Sequence, residues 1–216
     1  MNMMSMTQHY ENLILDWADK REILKSSTAK HQLAKLLEEY GELVSGYLKG
    51  DVAKVKDSIG DCVVVAVIMQ GLTDRNAKLF DNFINSANCE KSKMRLEDAV
   101  IAPAEHLGRC ATFVHGDNPL VRNNMWIDLR QMVRILCNIA YHYETTLDEC
   151  LQLAYDEIKD RKGIMRDGVF VKVSDLEAQL AELDKRLSEE DFPSAEDSEL
   201  KRQADELADL IVRAKK

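Results

Sequence analysis

Apolar residues return at helical spacing through most of the chain. Residues 10–25 place Leu13, Ile14, Trp17, Ile23 and Leu24 in a rough stripe ending near Ser26 and Ser27, which predicts a short amphipathic helix. Between Thr28 and Lys49 the pattern sharpens. Leu33, Leu36, Leu37, Tyr40, Leu43, Val44 and Tyr47 fall in one arc at about 100° per residue, the face expected to meet a core. Lys49-Gly50-Asp51 then ends one helix and starts another, glycine suiting the left-handed C-terminal position and aspartate the N-cap. Beyond Asp61 the second helix is apolar around its whole circumference to Gln70, as a buried helix would be. The two are expected to form a tight antiparallel hairpin.

Further on, the stretch from Leu72 to Arg95 is polar and rich in asparagine and reads as a loop or frayed helix. Residues 97–114 resume a helical pattern despite Pro103, and His115-Gly-Asp-Asn-Pro119 breaks it. Residues 124–143 are strongly amphipathic through Trp126, Leu129, Met132, Val133, Leu136, Cys137, Ile139 and Ala140. Thr146 and Glu149 have the spacing of a capping box, so a helix begins there and buries Leu147, Cys150, Leu151, Ala154 and Ile158. The segment GVFVK after Asp167 reads as a short extended closure. Past Val173, Leu176, Leu180, Leu183 and Leu187 give one stripe and Leu200, Leu207, Leu210 and Ile211 another, with Phe192-Pro193-Ser194 between them. This predicts a helical hairpin or short coiled coil as an extension over 173–216, behind a main domain over 1–172.

Composition agrees with an all-α class: 216 residues hold only 9 Gly and 3 Pro, and helix formers dominate. A net charge of −9, without a long basic block, argues against duplex nucleic acid as a partner. The five cysteines, Cys62, Cys89, Cys110, Cys137 and Cys150, are widely spaced and include no C-x-x-C pair, so reduced core residues are expected. The first residues lack the pattern of a signal peptide, and no run approaches the ~18 apolar residues that span a bilayer. No membrane association and a cytoplasmic location are expected.

The candidate chemistry lies in Leu36–Asp61. Opposite the apolar arc of the first helix stand Lys35, Glu38, Glu39 and Glu42, with Gly46 one turn further on leaving room beside the acids. On the second helix Asp57 and Asp61, four apart, extend the buried face. Unpaired carboxylates there would cost several kcal/mol. Two arrangements relieve that cost: ion pairs with lysines such as Lys54 or Lys56, or a cation held jointly with the glutamates. Oxygen-only ligands on rigid helices favour Mg²⁺, or Mn²⁺, over zinc. A di-iron carboxylate bundle is excluded, because none of His9, His31, His106, His115 or His142 follows a glutamate by three residues. His106 reads as a satisfied side chain rather than a ligand.

Glu38-Glu39-Tyr40-Gly41-Glu42 followed by Asp57-Ser58-Ile59-Gly60-Asp61 resembles the EExxE and ExxD motifs of the MazG-like, all-α nucleoside triphosphate pyrophosphohydrolases of phages and bacteria. The likeness covers roughly residues 28–172, including HQLAKLL, GDCVVVAVI and the run from Ala154 to Lys172. It departs at Ser58, where the family motif has glutamate, and Asp57 is the nearest substitute.

The resemblance implies a helical bundle completed by oligomerisation, at least a homodimer. It also implies Mg²⁺-dependent hydrolysis of (deoxy)nucleoside triphosphates between the α and β phosphates, for control of nucleotide pools. Glu39, Glu42, Asp57 and Asp61 would be the metal ligands, and Glu38 or Glu39 the proton acceptor. Lys159, Arg161 and Lys162, which also suit the negative end of a helix dipole, would approach the phosphates, with Lys35 and Lys54 beside the acids. Trp17 is either a core residue or a platform for the base. Two alternatives stand beside this reading: a specialised pyrophosphohydrolase of the same superfamily, and a non-catalytic interaction protein whose acidic face is solvated or lysine-paired.

Overall fold

A computed structural model describes residues 5–74, 78–80, 94–114, 119–189 and 194–215. The chain is mostly helical with one two-stranded ribbon, all-α in class. Its contacts divide it into two units, Met1–Lys159 and Asp160–Lys216.

In the first unit the helices are α1 (Met6–Lys20), α2 (Ile23–Ser26), α3 (Ala29–Lys49), α4 (Val52–Thr73), α5 (Leu96–Ile101), α6 (Pro103–Phe113), α7 (Pro119–His142) and α8 (Leu147–Ile158). Their ends follow local chemistry. Ser5 and Gln8 form a reciprocal capping box at the start of α1, and Thr146 and Glu149 form the one expected for α8. The stripe over 10–25 is two helices rather than one, because Glu22 adopts a left-handed φ of 59° between Lys20 and Ile23. Pro103 likewise opens a new helix instead of lying inside one, its missing N–H costing nothing at that position.

Helix α4 is the axis of this unit. Every residue from Cys62 to Gly71 is buried, and α3, α8, α1 and α7 pack around it. The α3–α4 turn is built as its sequence demands. Gly50 takes φ 67° at the end of α3, and the Asp51 carboxylate accepts from the Lys54 amide at 3.0 Å. Against α8 the approach is so close that a β-carbon on Gly60 would lie 2.8 Å from Ala154 Cβ and nearer still to the Cys150 carbonyl oxygen.

Three of the cysteines, Cys62, Cys110 and Cys150, are free and buried as expected. Cys137, on the buried side of α7, corrects the expectation, because it is disulfide-bonded. Cys89 lies outside the described residues, as do most of the asparagine-rich stretch and the HGDN break.

The second unit consists of β1 (Gly163–Arg166), β2 (Val169–Lys172), α9 (Val173–Glu189) and α10 (Ser194–Ala214). Asp167 and Gly168, at φ 51° and 82°, form the two-residue turn of an antiparallel hairpin in which Ile164 pairs Val171 and Met165 pairs Phe170. The ribbon packs on α9 and α10 and so groups with them, and the contacts divide the chain after Lys159. Ile164 and Val171 lean on a small core of Leu176, Leu207, Ile211 and Ala214. The Lys162 ammonium donates to the Lys215 carbonyl, which ties the start of the unit to its last turn.

Candidate functional site

Helices α3 and α4 bring the acidic residues onto one hairpin, though not as five equivalents. Glu39 is buried at 7% exposure, which corrects its placement on the outer arc. It follows Leu36 by three residues and precedes Leu43 by four, and both leucines are fully buried, so it shares their side of α3. Glu38 and Glu42 are exposed, while Asp57 and Asp61 are half-buried and Ser58 is buried.

Two buried thiols report how these charges are distributed. Burial pushes the Cys62 thiol well above its usual range, and the charges of Glu39 and Asp61 both push it further. Asp61 adjoins Cys62 in the chain, so the informative charge is that of Glu39, which acts on the thiol from α3. Asp57 acts elsewhere: it contributes to raising the Cys150 thiol of α8, which burial sets at about 11. Of the five acids, Glu39 is the one that is buried, and Asp57 lies on the stretch of α4 that packs against α8 through Gly60.

Lysines answer the glutamates. Lys35 Nζ lies 2.7 Å from Glu39 Oε1 and 2.8 Å from Glu38 Oε2. Burial opposes its charge, yet these hydrogen bonds hold its pKa above the usual lysine range. Lys54 Nζ reaches across the hairpin to Glu42 Oε2 at 3.1 Å. The room expected beside Gly46 is taken, since a β-carbon there would meet Val55 Cγ2 at 3.1 Å and Lys54 Cγ at 3.3 Å. Gly46 serves close helix approach and not a ligand. The oxygen donors suit a hard divalent cation in kind. In arrangement they fall short, because among the described residues no three His, Cys, Asp or Glu side chains gather into a group that could hold a metal ion.

The remaining candidates separate. Trp17 is buried, its indole N–H donates to the Ile158 carbonyl at 2.7 Å, and the Arg21 guanidinium covers its ring at 4.8 Å. It is a core residue and no platform for a base. Lys159 ends the first unit and pairs with Asp156 at 2.7 Å, while Arg161 and Lys162 belong to the second unit. The basic trio is therefore divided between the two units.

Two polar clusters lie outside the candidates. His106, Arg109 and Glu105 of α6 meet the buried Asp128 of α7: His106 Nδ1 is 2.8 Å and Arg109 Nε 2.7 Å from Asp128 Oδ1, and Arg109 also pairs with Glu105. His106 is satisfied, as its sequence context suggested. Glu11, 1% exposed, accepts from the Leu79 amide at 2.6 Å, and burial raises its pKa. Its position three residues before Ile14 and seven before Ala18, both fully buried, was the available signal.

No protein-family model matches the chain, and no solved structure matches it. It is similar to an uncharacterized 18.2 kDa protein of the rep-hol intergenic region of Haemophilus phage HP1 (strain HP1c1), at 50% identity over 56 residues. The match covers 26% of this chain and 34% of the relative, so the chain spans about a third of the length of the curated protein it matches. No helix among the described residues is long and apolar enough to cross a membrane.

Proposed function

We propose that the first unit is a MazG-like pyrophosphohydrolase that splits a (deoxy)nucleoside triphosphate and water into the monophosphate and pyrophosphate, in the control of nucleotide pools. The observation that supports this reading is Glu39, a buried carboxylate on α3 with Lys35 at 2.7 Å, on the same helical hairpin as Glu42, Asp57 and Asp61. A buried carboxylate such as Glu39 is costly without positive charge beside it, a place that Lys35 takes here and that a cation could take in its stead. Glu39, Glu42 and Asp61, drawn closer than they stand in this structure, would hold Mg²⁺, or Mn²⁺, with Asp57 as the further carboxylate of the motif. When bound, the ion supplies positive charge against the phosphate oxygens. Lys35 and Lys54 would exchange their carboxylate partners for those oxygens and stabilise the charge that builds there. Glu38, exposed beside Lys35, would then be released to accept the proton of the attacking water.

The same ion pairs support a second reading. If Lys35 and Lys54 neutralise the glutamates permanently, the hairpin is the acidic face of a non-catalytic interaction protein. One assay separates the two: incubation of the full chain with each NTP and dNTP, and with phosphoribosyl-ATP, in the presence of Mg²⁺. Monophosphate and pyrophosphate from any member support the enzyme, and a preference for one base identifies a specialised form. No turnover across the panel, together with no heat of Mg²⁺ binding by calorimetry, leaves the second reading.

A further inference from the structure

The second unit has too little core for its helices. Leu176, Leu207, Ile211 and Ala214 form its buried cluster, Leu200 and Ala204 are the other buried apolar side chains among its described residues, and Leu180, Leu183 and Leu210 pack against the cluster only partly covered. A domain of this size rarely reaches useful stability from one small core, and oligomerisation is a common remedy.

The uncovered side is concave. A cleft of about 470 Å³ opens between α9 and α10, with Leu183, Leu207 and Leu210 in its lining. Charged side chains share the lining: Arg166 and Arg186 against Glu182 and Glu206. Arg202 already pairs with Glu206 at 2.5 Å, whereas Glu182 and Arg186 have no ion-pair partner among the described residues. They lie four apart on α9, one turn from each other on the same face.

A partner helix of a single sign would meet like charge along half of this lining. A surface that carries both signs, related to itself by a two-fold axis, can set each Glu182 against the other copy's arginine. We propose that the cleft is closed by the same cleft of a second copy of this chain, the two α9–α10 hairpins covering each other's leucines. The surface is that of the second unit, so the proposal does not depend on the activity proposed for the acidic hairpin.

The test is the mass of the full chain by light scattering and sedimentation. Wild type is expected to be a dimer, and Leu183→Arg a monomer with unchanged helical circular dichroism. Glu182→Arg and Arg186→Glu, which alter exposed side chains and keep the fold, should each weaken the dimer about tenfold or more, since like charges would then face across the interface. Mixing these two variants should restore it, because at positions 182 and 186 one copy then presents only bases and the other only acids. A chain that stays monomeric over the accessible concentrations overturns the proposal, and so does a dimer that Leu183→Arg and both charge variants leave intact. A mixture that fails to reassociate overturns it as well, even if Leu183→Arg misfolds.

Discussion

Lys54 Nζ stands 3.1 Å from Glu42 Oε2, an ion pair that joins the second helix of the acidic hairpin to the first. Both side chains are well exposed, so the pair contributes no more than about 1 kcal/mol to stability. Glu42→Gln should therefore leave the urea midpoint nearly unchanged. Under the enzymatic reading the same substitution removes a ligand, and turnover should fall at least a hundredfold. A large loss of stability with activity intact would make Glu42 a structural residue.

Lys35 is predicted to compete with a divalent cation for Glu39. Lys35→Met keeps the aliphatic stem and removes the ammonium, leaving the buried carboxylate without its 2.7 Å partner. The variant should lose about 1–3 kcal/mol in the absence of Mg²⁺. Added Mg²⁺ should raise its Tm more than that of wild type. Equal responses of the two proteins would show that the lysine does not stand where an ion binds.

Gly60→Ala tests the contact of α4 with α8. The new methyl has no space against Ala154 and the Cys150 carbonyl, and the obstacle on one side is backbone. Overpacking of this kind costs about 1–3 kcal/mol. Gly41→Ala, where nothing lies within 4 Å, is the control, and on an exposed helical face it should be neutral or stabilising by up to about 1 kcal/mol. Equal behaviour of the two substitutions would mean that α4 and α8 pack less closely than described.

The Asp128 cluster predicts a pH dependence of definite sign. Burial alone would raise the Asp128 pKa, but hydrogen bonds from Arg109 and His106 outweigh it and hold it below the usual 3.8. A lowered carboxylate pKa stabilises the fold above the unfolded value and loses that contribution as pH falls through the folded value. Wild type should therefore lose stability relative to Asp128→Asn as pH falls through and below about 3.8. Parallel acid titrations of the two proteins, followed by circular dichroism, would overturn the assignment.

Glu11 predicts the opposite slope. Burial raises its pKa above the usual 4.5, so the ionised form penalises the fold once pH passes that range. Glu11→Gln keeps an acceptor for the Leu79 amide and removes the charge. Its stability relative to wild type should rise as pH climbs from 4 toward neutrality, measured by urea denaturation at each pH.

The hairpin was legible because its signals are local. Gly50 and Asp51 mark the turn by backbone chemistry, and the all-apolar run after Asp61 leaves burial as its only reasonable setting. A helical wheel sets Glu39 with its charged neighbours, whereas its spacing from Leu36 and Leu43 assigns it to the interior, where it lies. Trp17 shows a different limit, since its indole partner is the carbonyl of Ile158, 141 residues away, and no helical pattern encodes such a meeting. The ribbon was half legible. GVFVK has the pattern of an extended segment, and Asp167-Gly168 between two short runs is the turn signal that pairs it with Gly163–Arg166.

The bond from Lys162 to the carbonyl of Lys215 gives the second unit adjoining ends. A segment that starts and finishes at one point behaves as a cassette. Joining its ends and reopening the chain at the Asp167-Gly168 turn should leave its small core of Leu176, Leu207, Ile211 and Ala214 in place.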